Sequence, residues 1–164
     1  MSVSISRDNQ HAEYRTPDDF LGAVRARFGA LAFDLAASKR SAITPKFYSM
    51  TQDSLRQHWP DLKGKLWLNP PYGNIAPWAG KAAISAQQGA EILMLVPASV
   101  GANWYRDFGR VAADTYALCG RLTFKGETTP YPKDCMLLHF HQDVAMGNRP
   151  AKFFVWSWRE GKVA

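Results

Sequence analysis

The consecutive prolines Pro70 and Pro71 constrain the fold of this chain more than any other short feature of its sequence. They come soon after the apolar run Leu66-Trp67-Leu68, separated from it by Asn69 alone. Neither proline can donate a backbone hydrogen bond, so the pair cannot lie inside a strand or a helix. The apolar run is therefore predicted to be a buried strand that ends at Asn69. A stiff loop follows it, with carbonyl groups that are free to accept hydrogen bonds.

Apolar runs and helical patterns alternate along the rest of the chain. Runs typical of buried strands occur at 31–37, 66–68, 91–96, 115–124, 135–141 and 153–158. Helical spacing of apolar residues occurs at 16–29, 75–88 and 103–112, and Thr16 is the expected N-cap of the first helix. This alternation predicts an α/β fold with a mostly parallel central sheet flanked by helices.

Polar residues follow three of the predicted strands at the points where these strands end. The segments 34–38, 69–72 and 97–99 all have this position. In open α/β sheets, ligands bind at the carboxyl ends of the strands, so we expect a site there. Asn69 and the proline carbonyls can accept N–H groups, and Tyr72 offers an aromatic face, which together suit a planar amine. The alternative is a proline-rich turn with a tyrosine on the protein surface.

The chain is basic, with 20 lysines and arginines against 14 aspartates and glutamates and a net charge of +6. Much of the excess lies in residues 35–65, and a second basic cluster lies in 120–133. A small basic domain favours a polyanionic partner, nucleic acid first. The alternative is that the charge only keeps the protein soluble.

Length and composition predict a single domain over residues 1–164, with a flexible segment at 1–12 and no room for a separate target-recognition domain. No apolar run approaches the roughly 20 residues of a membrane-spanning helix, so no membrane partner is expected. Two cysteines cannot form a disulfide framework, which favours a reducing cytoplasm.

The segment LWLNPPYGNIAPWAGKA resembles the catalytic motif (D/N/S)PP(Y/F/W) of S-adenosylmethionine-dependent amino-methyltransferases. The segments EYRTPDDFLGAV, FDLAAS, DSLRQHW, ILMLVPA and GRLTFKG stand around it in an order that resembles the phage-type (Dam-like) DNA N6-adenine methyltransferases over residues 13–142. The resemblance implies a minimal Rossmann-like domain in the cytoplasm of a bacterial host. It also implies methyl transfer from S-adenosylmethionine, without a metal, to the N6 amine of an adenine flipped out of double-stranded DNA. The oligomeric state stays open.

The same resemblance assigns roles to the residues at matching positions. The catalytic residues it implies are Asn69, Pro70, Pro71 and Tyr72. The cofactor-binding residues it implies are Thr16, Pro17, Asp34, Ala36, Ala37, Asp53 and Asn69. Asp34 would meet the methionine ammonium and Asp53 the adenine amine of the cofactor, while a helix N-cap is the alternative for Asp53. The natural phosphate contacts in the two basic loops, 38–63 and 120–133, include Lys39, Arg40, Lys46, Arg121 and Lys125.

Other functions also fit parts of the sequence. Cytosine N4 and the side-chain amide of a protein glutamine present a planar amine to the same loop, and a non-catalytic DNA-binding relic of the fold is a third possibility. The segment FDLAAS lacks the GxG pattern of many cofactor loops, and no acidic residue is assigned to the cofactor ribose. His139 and His141 form a possible metal pair for which the sequence offers no third ligand.

Overall fold

A computed structural model describes residues 14–164 of the chain, so the segment 1–12, expected to be flexible, lies outside the described residues. The described chain forms one sheet of seven strands: β1 (Leu31–Asp34), β2 (Lys65–Leu68), β3 (Glu91–Pro97), β4 (Ala113–Leu118), β5 (Cys135–Phe140), β6 (Phe153–Ser157) and β7 (Lys162–Val163). Their order across the sheet is β1-β2-β3-β5-β4-β6-β7.

Helices precede and separate the strands, which makes the fold α/β as predicted. They are α1 (Asp18–Phe28), α2 (Ala76–Gln87), α3 (Arg110–Ala112, preceded by the π-helical turn Tyr105–Gly109) and α4 (Gln142–Ala145). Between β1 and β2 the chain makes three short 3-10 turns, at Met50–Gln52, Ser54–Arg56 and Trp59–Asp61. Among the described residues, no helix has the length and apolar character needed to cross a bilayer.

The sheet is mixed, which corrects the expectation of a mostly parallel one. Strand β2 pairs in parallel with β1 and β3, and β4 pairs in parallel with β6. The other three pairings are antiparallel, because β5 runs against both β3 and β4 and because β7 turns back on β6. A helix-free connection, residues 119–134, joins β4 to β5. Such a connection lets a strand return beside its predecessor in the opposite direction.

Both faces of the sheet are buried, because successive side chains of a strand point to opposite sides. In β2, Leu66 and Leu68 pack with Met94 on the face that α2 covers. Trp67 points the other way and packs on the face that α1 covers with Phe20 and Val24. The core therefore has two layers with β2 and β3 buried between them, which explains why these strands read as continuous apolar runs.

Two predicted boundaries are wrong for a physical reason. The strand predicted at 115–124 ends at Leu118, since Gly120 adopts a φ of 85° and the chain leaves the sheet there. The first helix begins at Asp18, with Pro17 in the cap position and no side-chain cap bond, so Thr16 is not its N-cap. The apolar residues Leu122 and Phe124 are buried nevertheless, outside any regular element.

A buried carboxylate, Asp114, fastens the start of β4 to the segment that leads into β6. Its Oδ1 accepts hydrogen bonds from Arg149 Nη1 at 3.0 Å and from the Lys152 amide at 2.9 Å. Its Oδ2 accepts from Arg149 Nη2 and lies 3.1 Å from His141 Nε2. Burial alone would raise the pKa of Asp114, but these hydrogen bonds outweigh burial and hold the pKa well below its usual range.

The structure also supplies the third ligand that the histidine pair lacks in sequence. Atoms of Asp114, His139 and His141 that are able to bind a metal lie within 4.8 Å of one another. However, the Arg149 guanidinium already holds the Asp114 carboxylate and contacts His141 Nε2 at 3.0 Å. A cation of the chain itself therefore neutralises this carboxylate, which is typical of a structural ion pair.

We expect Arg149→Met to lower the free energy of unfolding by about 2 kcal/mol at pH 7, because the buried Asp114 carboxylate loses its charged donors. Urea denaturation measures the effect. Ionised Asp114 stabilises the fold above pH ~4 and loses this effect as the pH falls, so the difference from wild type should narrow in acid. Arg106→Met, which removes an exposed pair with Asp107, is the matched control. An Arg149 variant as stable as this control would contradict the proposed role.

Candidate active site

The parallel pairing of β1 with β2 brings two of the predicted site residues to one edge of the sheet. Asp34, the last residue of β1, is paired with Trp67 of β2, and the Leu35 amide extends the pairing by donating to the Trp67 carbonyl at 2.8 Å. Asn69 follows Leu68 at the end of the neighbouring strand. A cavity of about 20 Å³ at this edge is lined by Tyr14, Thr16, Asp34, Ala36, Ser41, Trp67 and Asn69.

Asp34 is a buried carboxylate with backbone donors but without a charged partner among the described residues. Only 2% of its surface is exposed. Its two oxygens accept from the Ala36 amide at 3.3 Å and the Ile43 amide at 3.1 Å. Burial raises the pKa of Asp34 to about 7, although both amides act to lower it. An ammonium group placed in the cavity would therefore stabilise the ionised form of this carboxylate.

Asn69 joins the loop after β2 to the segment before α1. Its Nδ2 donates to the Tyr14 carbonyl at 2.7 Å and lies 3.4 Å from Thr16 Oγ1. Its Oδ1 accepts from the Tyr72 hydroxyl at 2.8 Å. Pro70 follows Asn69, and within residues 14–164 no donor reaches its carbonyl. The loop thus retains one unused backbone acceptor beside an asparagine whose orientation is fixed.

Tyr72 belongs to a cluster of four aromatic rings and is half-buried. Its ring stacks on Tyr14, with 5.4 Å between centroids and 29° between planes. It also contacts Phe124 at 6.4 Å and Tyr131 at 5.9 Å. Burial raises the pKa of the Tyr72 hydroxyl, which keeps it protonated as a donor to Asn69. The loop is thus a surface turn whose tyrosine packs against other rings and is half-buried.

A second, larger cavity adjoins the first and has a basic lining. Its volume is about 180 Å³, and its lining residues are Arg15, Thr16, Asp18, Leu21, Arg25, Arg40, Ser41, Ala42, Ile43 and Lys125. Thr16 and Ser41 also line the smaller cavity. We call the two the inner and the basic cavity. Two of the residues predicted to bind DNA, Arg40 and Lys125, line the basic cavity.

Several predicted residues lie outside both cavities. Asp53 connects two 3-10 turns with a φ of 49° and pairs with Arg56 at 3.2 Å. It occupies the cap position of the second turn without a side-chain cap bond, so its alternative role as an N-cap is not seen. Arg121 pairs with Asp134 at 3.4 Å. The remaining predicted residues that line neither cavity are Pro17, Ala37, Lys39, Lys46, Pro70, Pro71 and Tyr72.

Sequence reasoning missed several residues that the structure places at the site, among them Tyr14, Ser41 and Phe124. Tyr14 covers Tyr72, Ser41 lines both cavities, and Phe124 completes the aromatic cluster. Tyr14 and Phe124 both stand inside segments that the sequence singles out, EYRTPDDFLGAV and GRLTFKG. Their positions in those segments could have identified them as site residues. Ser41 lies in an irregular loop, where no pattern marks it.

Comparison with known proteins identifies similar sequences. A family model described as DNA N-6-adenine-methyltransferase (Dam) matches residues 4–158. A curated protein with the same description, from Escherichia phage T1, is 30% identical over 131 residues. The match covers 70% of this chain and 55% of the phage protein, so the chain spans about half the length of that relative.

We expect Asp34→Asn to remove a pH dependence from the stability of the protein. Because the pKa of Asp34 is higher in the folded chain, at about 7, than in the unfolded chain, the native state binds more protons between pH 4 and 7. Stability should therefore fall as the pH rises through this range. Relative to the variant, wild type should lose on the order of 2 kcal/mol between pH 5 and 8 in urea denaturation. A constant difference would mean that Asp34 is ionised throughout.

Proposed function

The chain belongs to the DNA N-6-adenine-methyltransferase (Dam) family, and from this premise we propose that it methylates the N6 amine of adenine in DNA with S-adenosylmethionine. One observation carries the proposal. The NPPY tetrapeptide, residues 69–72, leaves β2 beside the end of β1, so that Asn69 and the buried Asp34 line the same cavity. The proposal includes a single Rossmann-like domain that works in the cytoplasm of a bacterial host.

The inner cavity has the chemistry to hold the amino-acid end of S-adenosylmethionine. Asp34 is a desolvated carboxylate without a cationic partner among residues 14–164, and an ammonium group would supply one. Thr16 and Ser41 add hydroxyl groups, and Ala36 leaves space beside the backbone. At about 20 Å³ the cavity holds little more than one water, so its walls must separate on binding. When bound, S-adenosylmethionine supplies the electrophilic methyl group.

Asn69 and Pro70 are suited to orient the accepting amine. The lone pair of an exocyclic adenine amine is delocalised into the ring, which makes the nitrogen a poor nucleophile. Hydrogen bonds from its N–H groups to Asn69 Oδ1 and the Pro70 carbonyl favour a more tetrahedral nitrogen, with its lone pair directed at the methyl group. The bonds from Tyr72 and to Tyr14 hold the Asn69 amide in one orientation. We assign catalysis mainly to this positioning and to the exclusion of water.

The target base reaches this loop only after it leaves the duplex. We assign its stacking surface to Tyr72, with Pro71 stiffening the loop below it. The Tyr14 ring stacks on one face of Tyr72 in the structure, so a base that stacks on that face must displace Tyr14. Displacement also opens the inner cavity, since Tyr14 is part of its wall. Entry of the base and opening of the cavity are therefore coupled through one side chain.

The remaining contacts to DNA and to the cofactor are assigned to residues that the sequence predicts. We assign the basic loops 38–63 and 120–133 to the phosphates of double-stranded DNA, through residues that include Lys39, Arg40, Lys46, Arg121 and Lys125. Pro17 and Ala37 flank the inner cavity and are assigned to the backbone around the cofactor. Asp53 is assigned to the cofactor adenine. No metal is required by this scheme.

A transfer assay tests the function directly. The protein is incubated with tritium-labelled S-adenosylmethionine and unmethylated plasmid DNA, and the DNA is digested to nucleosides for mass spectrometry. We expect label in N6-methyl-2′-deoxyadenosine. Label in N4-methyl-2′-deoxycytidine or in added protein would contradict the adenine assignment, and failure to bind the cofactor would indicate a non-catalytic relic.

We expect two substitutions to separate chemistry from cofactor binding. Asn69→Ala should lower turnover about 100-fold or more, because the amine loses its acceptor, while cofactor affinity changes little. Asp34→Ala should weaken cofactor binding about tenfold or more, because the ammonium loses a charged partner. Calorimetry measures the affinity and single-turnover assays measure the rate.

Tyr72→Phe is the control for Asn69→Ala, because it keeps the ring and removes only the hydroxyl group that donates a hydrogen bond to Asn69. It should retain much more activity than Asn69→Ala. Equal losses of affinity and turnover in Asn69→Ala would refute the role given to Asn69, and unchanged affinity in Asp34→Ala would refute that of Asp34.

A further inference from the structure

Among residues 14–164, four basic side chains and one acidic side chain line the basic cavity. The cations are Arg15, Arg25, Arg40 and Lys125, and the anion is Asp18. Arg15 precedes α1, Arg25 lies on α1, Arg40 follows β1, and Lys125 lies between β4 and β5. These residues come from four separate segments, so the fold brings them together and the sequence contains no continuous run of charge that would predict it.

The single acidic group leaves most of this charge uncompensated. Lys125 Nζ pairs with Asp18 Oδ1 at 2.6 Å. Arg25 Nη2 donates to the Ile43 carbonyl at 3.1 Å, which satisfies one donor and leaves the charge. Within residues 14–164, none of the three arginines has a carboxylate within 4.0 Å. The lining of the cavity therefore carries a net charge of about three positive units.

Cations held together in a concave site repel one another and attract an anion strongly. Three guanidinium groups suit a phosphate in particular, because each presents parallel N–H donors to the oxygens of a tetrahedral oxyanion. Thr16 and Ser41, which line both cavities, add hydroxyl groups where the basic cavity meets the inner one. An anion in the basic cavity would thus lie beside the residues assigned to methyl transfer.

We propose that the basic cavity binds one backbone phosphate of the DNA strand that carries the target adenine. The proposal rests on the proposed function, since it takes DNA as the polyanion. A phosphate held there would anchor the strand beside Asn69 while the base stacks on Tyr72. Arg15 and Arg25 are thereby assigned to DNA binding, next to Arg40 and Lys125.

The same anionic chemistry has a second source, the carboxylate at the methionine end of the cofactor. Two features favour the phosphate. Arg25 and Arg40 are exposed at the surface, where a polymer can reach them. The surplus of about three positive charges also exceeds what one carboxylate neutralises.

The test uses two variants of the full chain, Arg40→Gln and Arg25→Gln/Arg40→Gln. The first leaves the bond from Arg25 to Ile43 in place and guards against a folding defect in the second. Arg110→Gln, an exposed arginine of α3, is the matched control. Binding of a fluorescein-labelled duplex is followed by anisotropy between 50 and 200 mM NaCl, and binding of S-adenosylhomocysteine and of S-adenosylmethionine is followed by calorimetry.

For the double variant we expect the slope of log Kobs against log salt to become shallower by about 0.9, the value for one lost phosphate contact. Arg40→Gln should shift the slope in the same direction, the control should match wild type, and cofactor affinity should stay within twofold in all variants. Unchanged slopes would overturn the proposal. If the variants also bound the cofactor more weakly, the cavity would be assigned to the cofactor carboxylate instead. If the variants differ from wild type in slope as expected but the wild-type protein yields no N6-methyl-2′-deoxyadenosine, the result would count against the proposed function alone.

Discussion

Parallel pairing between β1 and β2 brings Asp34 and Asn69 to one edge of the sheet, and the arrangement of the site depends on the register of this pairing. The register is irregular between Leu31 and Phe33, which leaves Ala32 without a regular partner and sets Asp34 opposite Trp67. A slip of one residue would turn Asp34 to the other face of the sheet. Gly64 lies against this irregularity with a φ of 84°, and a Cβ there would lie 2.9 Å from the Ala32 Cβ. A residue without a side chain is thus needed for β1 to meet β2 in the register that forms the site.

The second constraint is that the side chains of the site already form hydrogen bonds and ring contacts within the chain. Both ends of the Asn69 amide are bonded within the chain, and the Tyr72 face is covered by Tyr14. These contacts stabilise the loop in a fixed geometry, as positioning of an amine requires. They also occupy the surface that a base would use. Tyr14 also lines the inner cavity, so its displacement would alter the wall of that cavity as well as the stacking surface.

Much of this arrangement is predictable from sequence, because it depends on residues that are close together in the chain. The prolines at 70 and 71 define the end of β2, and the apolar alternation predicts an α/β sheet with a polar carboxyl edge. The direction of strand pairing depends on contacts between distant parts of the chain. Whether β5 lies parallel or antiparallel to β3 depends on the path of residues 119–134, which the spacing of apolar residues does not predict. Likewise, Thr16 has the sequence pattern of an N-cap, yet it is buried beside Asn69, because tertiary contacts outweigh the weak preference of a hydroxyl for a helix end.

Asp34 shows why stability and function oppose each other at this edge. A carboxylate that is almost fully buried without a cation lowers the stability of the folded chain near neutral pH, as its raised pKa indicates. An asparagine at this position would avoid the cost of burying a charge. It would also lose the charge that recognises an ammonium group, so the unfavourable burial and the proposed affinity for the cofactor have one physical origin. Under the proposed function, the ammonium group of the cofactor would form an ion pair with Asp34, and the free energy of that pair would become part of the binding free energy. The same reasoning applies to the basic cavity, where an anion would relieve the repulsion among the arginines that line it.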